Sequence, residues 1–264
     1  RMIFGLLLLM GMNFFLYHAL IPLRAAPDRC FWLGLSVIVA LALLDIFLFQ
    51  SYLWIGPRRA MLVIAGVPVL NTLLAWLFLN ETLTAFGYLG IAVTVGGIFL
   101  VLSERIHHSD VLAQDTKNFR KGYLFVTLGA LGQSAGMILA RRGVYGDFPA
   151  LTGTLIRAIL GTTAFLVLAL LTKAVKPTYD AVNRDRKALL WIGLGSITGP
   201  FLGIWLGLAG LKLTDVGIAS TLQALAPVMM LPIGHYLYKE HISLRAIFGT
   251  FVAMAGVAVI FLLA

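Results

Sequence analysis

The residue whose chemistry stands out in this 264-residue chain is Asp45, an acid inside a long apolar segment. It lies near the middle of segment 30–54, between Leu44 and Ile46. A charge at the centre of a bilayer helix costs about 2.5–3.5 kcal/mol on insertion scales, so it is tolerated only beside other protein groups or a wet cavity. Asp45 is therefore interpreted as a carboxylate that takes up a proton or binds an amine. The alternative is a structural hydrogen-bond hub, neutral or paired with an arginine.

Arg157 is the basic residue at comparable depth. It stands one or two turns inside the apolar segment 151–172. Arg157 and Arg1 are interpreted as a basic pair matched between the repeats, each opening a helix. An arginine there could hold a carboxylate or a phosphate through two parallel hydrogen bonds. It could equally extend its guanidinium to the membrane surface. The sequence leaves both interpretations open.

Four polar or aromatic residues at membrane depth are further candidates for contact with a small solute: Asn71, Gln133, Gln223 and Trp205. The amides could line a cavity, or they could bridge helices at about 0.6 kcal/mol per hydrogen bond. The indole could pack against the apolar part of a ligand, although aromatic residues at helical spacing are more often ordinary packing. Gln223, one turn before Pro227, is the preferred cavity residue of this set.

Two apolar segments each carry a proline and end on an acid. Pro68 and Pro227 each remove a backbone donor, which predicts a local helix break whose freed carbonyls face a solute or merely shape the packing. Glu81 and Glu240 follow them. A carboxylate at a helix C-terminus opposes the helix macrodipole, so both acids are expected to cap the start of the next helix.

Segment 188–210 carries a glycine at every fourth position. The four residues are Gly195, Gly199, Gly203 and Gly207. A stripe of small residues lets the backbone of another helix approach closely. The sequence therefore predicts a close-packing surface, either static or sliding, along this segment.

Composition places the chain in lipid. Hydrophobic residues make up 60% and charged residues 12%, against about 25% charged in soluble domains. A single cysteine, Cys30, rules out a disulfide framework, and the five histidines form no metal-ligand spacing. The net charge of +9 is interpreted as loop charge that contacts lipid headgroups rather than nucleic acid. No cofactor and no metal are expected.

Nine apolar segments can be recognised, most of them long enough to span about 30 Å of hydrocarbon: roughly 2–23, 30–54, 59–79, 86–103, 122–142, 151–172, 188–210, 217–238 and 244–263. The connections are short except for 104–121 and 173–187. No soluble domain is recognisable. The pattern predicts an all-α integral membrane protein.

The chain is also duplicated internally. Pro68 and Pro227 are 159 residues apart, and so are Glu81 and Glu240. The repeats are predicted at 1–104 and 122–264, joined by a linker at 105–121. The two copies of the proline-bearing segment are an odd number of segments apart, so they cross the membrane in opposite directions, as in inverted-repeat transporters. The first repeat shows four helices against five in the second, so a first helix of ten is expected upstream.

On these residues the chain resembles the EamA-type branch of the drug/metabolite transporter superfamily. The resemblance rests on GPRRAMLVIAGVPVLNTLLAWLFLNETLTAFGYLGIAVTVGGI at 56–98 and on its echo at 214–257. Asp45, the GQSAG at 132–136 and the TGPFLG at 198–203 add to it. The resemblance implies two five-helix halves and export or uptake of small metabolites by alternating access.

The function expected from these features is secondary transport of small metabolites, amino acids or similar mostly neutral solutes, in a multi-pass protein of the cell membrane. Gradient-coupled export is favoured, with protons as a possible partner. The alternatives are a polytopic enzyme, which would need a cluster of catalytic side chains at one membrane face, and a channel or scaffold. The partners expected are a small-molecule substrate and lipid, without nucleic acid, in a monomer or homodimer.

Overall fold

The computed structural model of the chain describes residues 1–18, 20, 26–40, 44, 46–104, 116–172, 186–226, 228–229 and 244–263. Regular structure in this described part is helical throughout. Six of its helical stretches are long and apolar enough to cross a membrane, and Met2–Tyr17 is a shorter apolar helix. The prediction of an all-α membrane fold is confirmed.

The helices of the first repeat are α1 (Met2–Tyr17), α2 (Pro27–Val39), α3 (Ile46–Ala65), α4 (Val67–Leu79) and α5 (Ala85–Glu104). Those that follow are α6 (Thr116–Gly143), α7 (Ala150–Leu171), α8 (Arg186–Ser196), α9 (Ile204–Leu213), α10 (Val216–Gln223) and α11 (Leu244–Leu263), with a π-helix at Ile197–Gly203 between α8 and α9. Inside α3 the chain turns at Gly56, whose φ is 78°, and Pro57 follows. Glycine adopts this backbone conformation without strain, which explains why two apolar segments were recognised on either side of it.

The helices assemble into two compact units, and each unit takes helices from both repeats. Unit 1 comprises Arg1–Ile38 and Leu139–Leu213, and unit 2 comprises Val39–Ile138 and Thr214–Ala264. Within unit 1, α7 packs against α1 and α9. Within unit 2, α5 packs along α11, and α10 packs against α4. The repeat boundaries read from the sequence stay a prediction.

The contact between α5 and α11 relates the two repeats. The repeat offset of 159 residues places Gly90 on Gly249 and Gly97 on Gly256. A methyl group at Gly90 would lie 2.9 Å from the carbonyl oxygen of Gly256, and one at Gly249 would lie 2.9 Å from that of Gly97. Exchanging the repeats converts one contact into the other, and the contacts run in opposite chain directions. A two-fold axis perpendicular to the helices produces this arrangement, so the inverted repeat is confirmed.

A helix interruption is duplicated in the same register. Three backbone hydrogen bonds recur 159 residues apart: Gly66 to Val63 (3.0 Å) with Leu225 to Leu222 (3.3 Å), Val69 to Gly66 (3.1 Å) with Val228 to Leu225 (2.9 Å), and Leu70 to Gly66 (3.4 Å) with Met229 to Leu225 (3.0 Å). The first two pairs span three residues instead of the four of an α-helix. Both repeats therefore interrupt a helix at the same register.

Candidate functional site

Three polar side chains of unit 2 lie near the middle of two apolar spans. Asn71 lies near the centre of the span Arg59–Leu79, and Gln133 and Ser134 lie near the centre of Arg120–Gly143. Three of their atoms, Asn71 Oδ1, Gln133 Oε1 and Ser134 Oγ, are buried and lack a hydrogen-bond partner among the described residues. A buried polar atom without a partner costs about 1–3 kcal/mol, so this polar trio calls for an explanation.

The orientation of the Asn71 amide follows from its neighbour. Its Nδ2 donates to Sδ of Met137 over 3.2 Å. A thioether sulfur accepts hydrogen bonds and donates none, so the amide nitrogen must face the sulfur and Oδ1 must face away. Ser134 and Gln133 precede Met137 by three and four residues on α6, which places all three on one face of that helix. Asn71 of α4 thus contacts, through Met137, the face of α6 that carries Gln133 and Ser134; these three polar residues are called the polar trio.

Ser134 differs from the other buried hydroxyls of unit 2. Five of these donate to a carbonyl oxygen of their own helix: Ser51, Thr72, Thr94, Ser220 and Thr221. Such a local bond removes the cost of burying a hydroxyl. The Oγ of Ser134 makes no bond of this kind. The trio thus offers two amide oxygens that only accept and one hydroxyl that can donate or accept.

In unit 1, Arg157 lies seven residues into α7, about 10 Å along a helix that rises about 1.5 Å per residue. The side chain is half-buried, while its Nε is fully buried and without a hydrogen-bond partner in the part of the chain that the structure describes. The sequence matched Arg157 with Arg1 as two residues that open helices. That match is wrong, because only Arg1 precedes its helix.

Three other arginines of unit 1 donate to backbone carbonyls. Arg1 donates to the carbonyl of Gly195 over 3.1 Å. Arg29 reaches Tyr145 over 2.8 Å, beyond the end of α6. Nη1 of Arg141 bonds to Leu211 over 2.6 Å and to Lys212 over 2.8 Å, at the end of α9. Cationic side chains at helix C-termini satisfy open carbonyls and the negative end of the dipole.

Trp205 takes part in packing. It lies half-buried against a core cluster formed by Leu9, Leu151, Leu155 and Ala158, with its ring 5.8 Å from that of Phe201. These contacts agree with the interpretation of Trp205 as a residue that packs between helices. A contact with solute stays a prediction.

Glu81 contacts the second repeat. Its Oε2 accepts a hydrogen bond of 2.8 Å from the amide of Val216, the first residue of α10. Asp215, which precedes α10, makes no capping bond with its own side chain. Glu81 thus caps the start of α10, and a cap by this acid at the start of the next helix along the chain stays a prediction. Two helices distant in sequence are tied together by this bond.

Replacing Glu81 by alanine is expected to lower the stability by about 1 kcal/mol, the usual effect of losing a helix cap, and the Tm by about 2–4 °C. Glu81→Gln keeps an acceptor oxygen and should lose less. Thermal unfolding of the purified variants in detergent measures both. Equal melting of Glu81→Ala and the parent protein would show that the bond to Val216 contributes nothing.

For Gly195, Gly199 and Gly203 the predicted close contact with the backbone of another helix is wrong. Methyl groups at Gly195 and Gly199 would meet the Arg1 guanidinium, at 3.5 and 3.1 Å from Nη2. Gly203 is exposed, and a methyl group there would meet the carbonyl of Thr198 in its own helix. Gly207 lies half-buried in α9. The π-helix explains the difference, because its wider turn rotates the later glycines away from the first two.

The structure describes two of the remaining candidates, Pro68 and Gln223. Pro68 is buried in the first turn of α4, just after the interruption at Gly66, where a missing N–H is tolerated. Gln223 is the last residue of α10 and is exposed. Asp45, Pro227 and Glu240 lie outside the described residues. Their roles stay predictions.

Sequence reasoning missed Met137 and Asn13. Met137 orients the Asn71 amide, and its spacing of three and four residues from Ser134 and Gln133 was the signal available. Asn13 is buried in α1 and accepts a 3.0 Å hydrogen bond from Thr152 of α7 at its Oδ1. A single amide in the apolar run of α1 could have indicated such a bridge.

Comparison with known proteins gives one family and one fold. The family model described as EamA-like transporter family matches residues 1–103 and 120–262. A solved structure described as "Crystal structure of protein" is similar with a TM-score of 0.62 and 19% identity, over 99% of this chain and 92% of that one. Likeness at this identity concerns the fold alone. No match was found among curated proteins.

Proposed function

The chain belongs to the EamA-like transporter family, and from that premise we propose that it moves small, mostly neutral metabolites such as amino acids by alternating access. Members of this family are membrane transporters of the drug/metabolite type. The proposal adds the solute class, the mechanism and the direction, which is export driven by an ion gradient. Inverted repeats support alternating access, because two equivalent halves can exchange their conformations.

The observation that carries the proposal is the polar trio of Asn71, Gln133 and Ser134. It lies at the middle of its spans, which is where transporters of inverted-repeat design hold their solutes. Its unpaired atoms are uncharged, so they match a solute that presents N–H and O–H groups. Leaving such atoms unpaired without solute makes binding favourable, because the solute then supplies the missing hydrogen bonds.

The test is flux into proteoliposomes with a mixture of radiolabelled L-amino acids, with and without a proton gradient. Asn71→Leu and Ser134→Ala should each reduce transport about tenfold, the loss of roughly one hydrogen bond to the solute. Ser134→Ala should also melt no lower than the parent, since it removes a buried hydroxyl that has no partner. Thr127→Val is the control, because Thr127 is exposed on the same helix and its hydroxyl bonds to Tyr123.

Three results would contradict the proposal or a part of it. Amino-acid flux that is unchanged in both variants would remove the polar trio from the transport path. If the parent protein transports none of the amino acids, with or without the proton gradient, the proposed solute class is wrong. Equal flux with and without the gradient would exclude proton coupling.

A further inference from the structure

Arg157 differs from the arginines of unit 1 whose contacts the structure describes. Other arginines there hold carbonyls at helix ends, and Arg142 lies over the ring of Trp32, 5.3 Å from its centroid. The buried Nε of Arg157 has no partner in the described part of the chain. A buried guanidinium without hydrogen bonds or a counter-charge is strongly disfavoured. No described residue bonds to this Nε, so the nitrogen is available to a bound molecule.

Two residues that flank Arg157 on α7 make apolar contacts. Gly153 and Leu160 lie one turn before and after it on the same face of α7. A methyl group at Gly153 would meet side-chain carbons of Val144 and Leu208, and Leu160 contacts the α-carbon region of Gly34. These contacts are apolar. They lower the local dielectric, which strengthens any hydrogen bond that the guanidinium makes.

The described part of unit 1 places no carboxylate at this depth. The described part of unit 1 contains two, Asp28 and Asp147, and both are exposed. Asp28 belongs to the first turn of α2, and Asp147 precedes α7. Neither position is inside a span. The described residues of unit 1 thus place a cation within a span without placing an anion there.

We propose that Arg157 binds the carboxylate of the transported solute. The half-buried side chain remains reachable, and its free Nε–H together with one terminal N–H forms the fork that fits both oxygens of a carboxylate. A lipid phosphate fits less well, because Arg157 stands about 10 Å inside the span. The inference rests on the proposed transport function and narrows its solutes to those that carry a carboxylate.

The first measurement asks whether Arg157→Met raises or lowers the Tm of the protein. Arg157→Met removes an unpaired charge and keeps much of the apolar stem, so the variant should melt at or above the Tm of the parent protein in the absence of solute. An arginine that holds the structure together would give a lower Tm. Arg245→Met is the control, because Arg245 is exposed at the start of α11. A clear fall in Tm for Arg157→Met alone would overturn the proposal.

The second measurement is binding, which needs no transport. The purified protein in detergent is melted with each L-amino acid, with acetate and with benzoate, each beside its carboxamide. A carboxylate at about five times its Kd should raise the Tm of the parent by about 2–4 °C. Its carboxamide should not, and Arg157→Met should not respond. Equal shifts with the carboxamide, a retained shift in Arg157→Met, or no carboxylate-specific shift would each contradict the inference.

The third measurement separates the solute from lipid and from failure of the transport proposal. In proteoliposomes, Arg157→Met should reduce flux of the stabilising carboxylate by at least about 30-fold, as expected for loss of one partner of a buried charge pair. Stabilisation that depends on Arg157 but is given only by phosphatidylglycerol would overturn the solute assignment. If a carboxylate raises the Tm only when Arg157 is present, but the parent protein shows no flux, the binding site is retained and the transport function is rejected. Normal flux of that carboxylate in Arg157→Met would keep the transport function and reject Arg157 as the binding residue.

Discussion

Gly97→Ala is expected to lower the Tm by up to about 10 °C, whereas Gly96→Ala should leave it unchanged or raise it. A methyl group at Gly97 would overlap the backbone nitrogen of Ala253 and come within 2.6 Å of the carbonyl oxygen of Gly249. Backbone atoms cannot turn aside as a side chain can, so α5 and α11 would have to separate. Overpacking costs about 1–3 kcal/mol or more, and each kcal/mol corresponds to about 2–4 °C in a chain of this size.

Gly96 is the matched control because it is the neighbouring glycine of the same helix. A methyl group there would meet nothing within 4 Å, and alanine favours a helix over glycine by about 1 kcal/mol. Both variants add one methyl group and the same gain in helix propensity. The difference in their Tm values therefore measures the helix contact alone. Equal Tm values would mean that α5 and α11 do not approach as described.

The two-fold relation adds an internal check on this prediction. A methyl group at Gly256, the repeat equivalent of Gly97, would overlap the backbone nitrogen of Thr94, which is the repeat equivalent of Ala253. Gly256→Ala should therefore lower the Tm by a similar amount. A large effect at one glycine and none at the other would argue against equivalent contacts in the two repeats.

Asp45→Asn is expected to abolish accumulation of solute against its gradient while leaving downhill exchange in place. Asparagine has nearly the shape of aspartate but cannot take up or release a proton, so only the coupling step is lost. The measurement is uptake into proteoliposomes with an imposed proton gradient, beside exchange without one. Expression and Tm should match those of the parent protein.

Asp28→Asn is the control for Asp45, because Asp28 is exposed at the start of α2 and should tolerate the change. Proton-driven accumulation that survives in Asp45→Asn would remove this residue from the mechanism. Loss of folded protein would favour the structural alternative, a hydrogen-bond hub. The two outcomes are separated by the amount of monodisperse protein after purification.

Much of the fold follows from the sequence because it depends on local or periodic features. The apolar runs set the spans, since a chain with 12% charged residues needs lipid around it. The constant offset of 159 residues predicted the duplication, and the odd number of segments between the copies predicted its inversion. The helix interruptions at Gly66 and Leu225 obey the same offset. Backbone bonds over three or four residues depend on neighbouring residues, so a repeated sequence repeats them.

The tertiary structure decided which distant residues meet. The glycine stripe failed because a π-helix between Ile197 and Gly203 changes the angle between successive residues, which a count of four could not foresee. Glu81 meets α10, although nothing in the sequence near it indicates a partner 135 residues away.

The candidate sites show the same division. The sequence identified Asn71, Gln133 and Arg157 as polar groups at depth, because a polar residue in an apolar run is visible locally. It could not show that the amide of Asn71 faces Met137 or that Nε of Arg157 has no partner among the described residues. Whether a buried polar atom is satisfied depends on the helices packed around it. Only the packed structure fixes those neighbours.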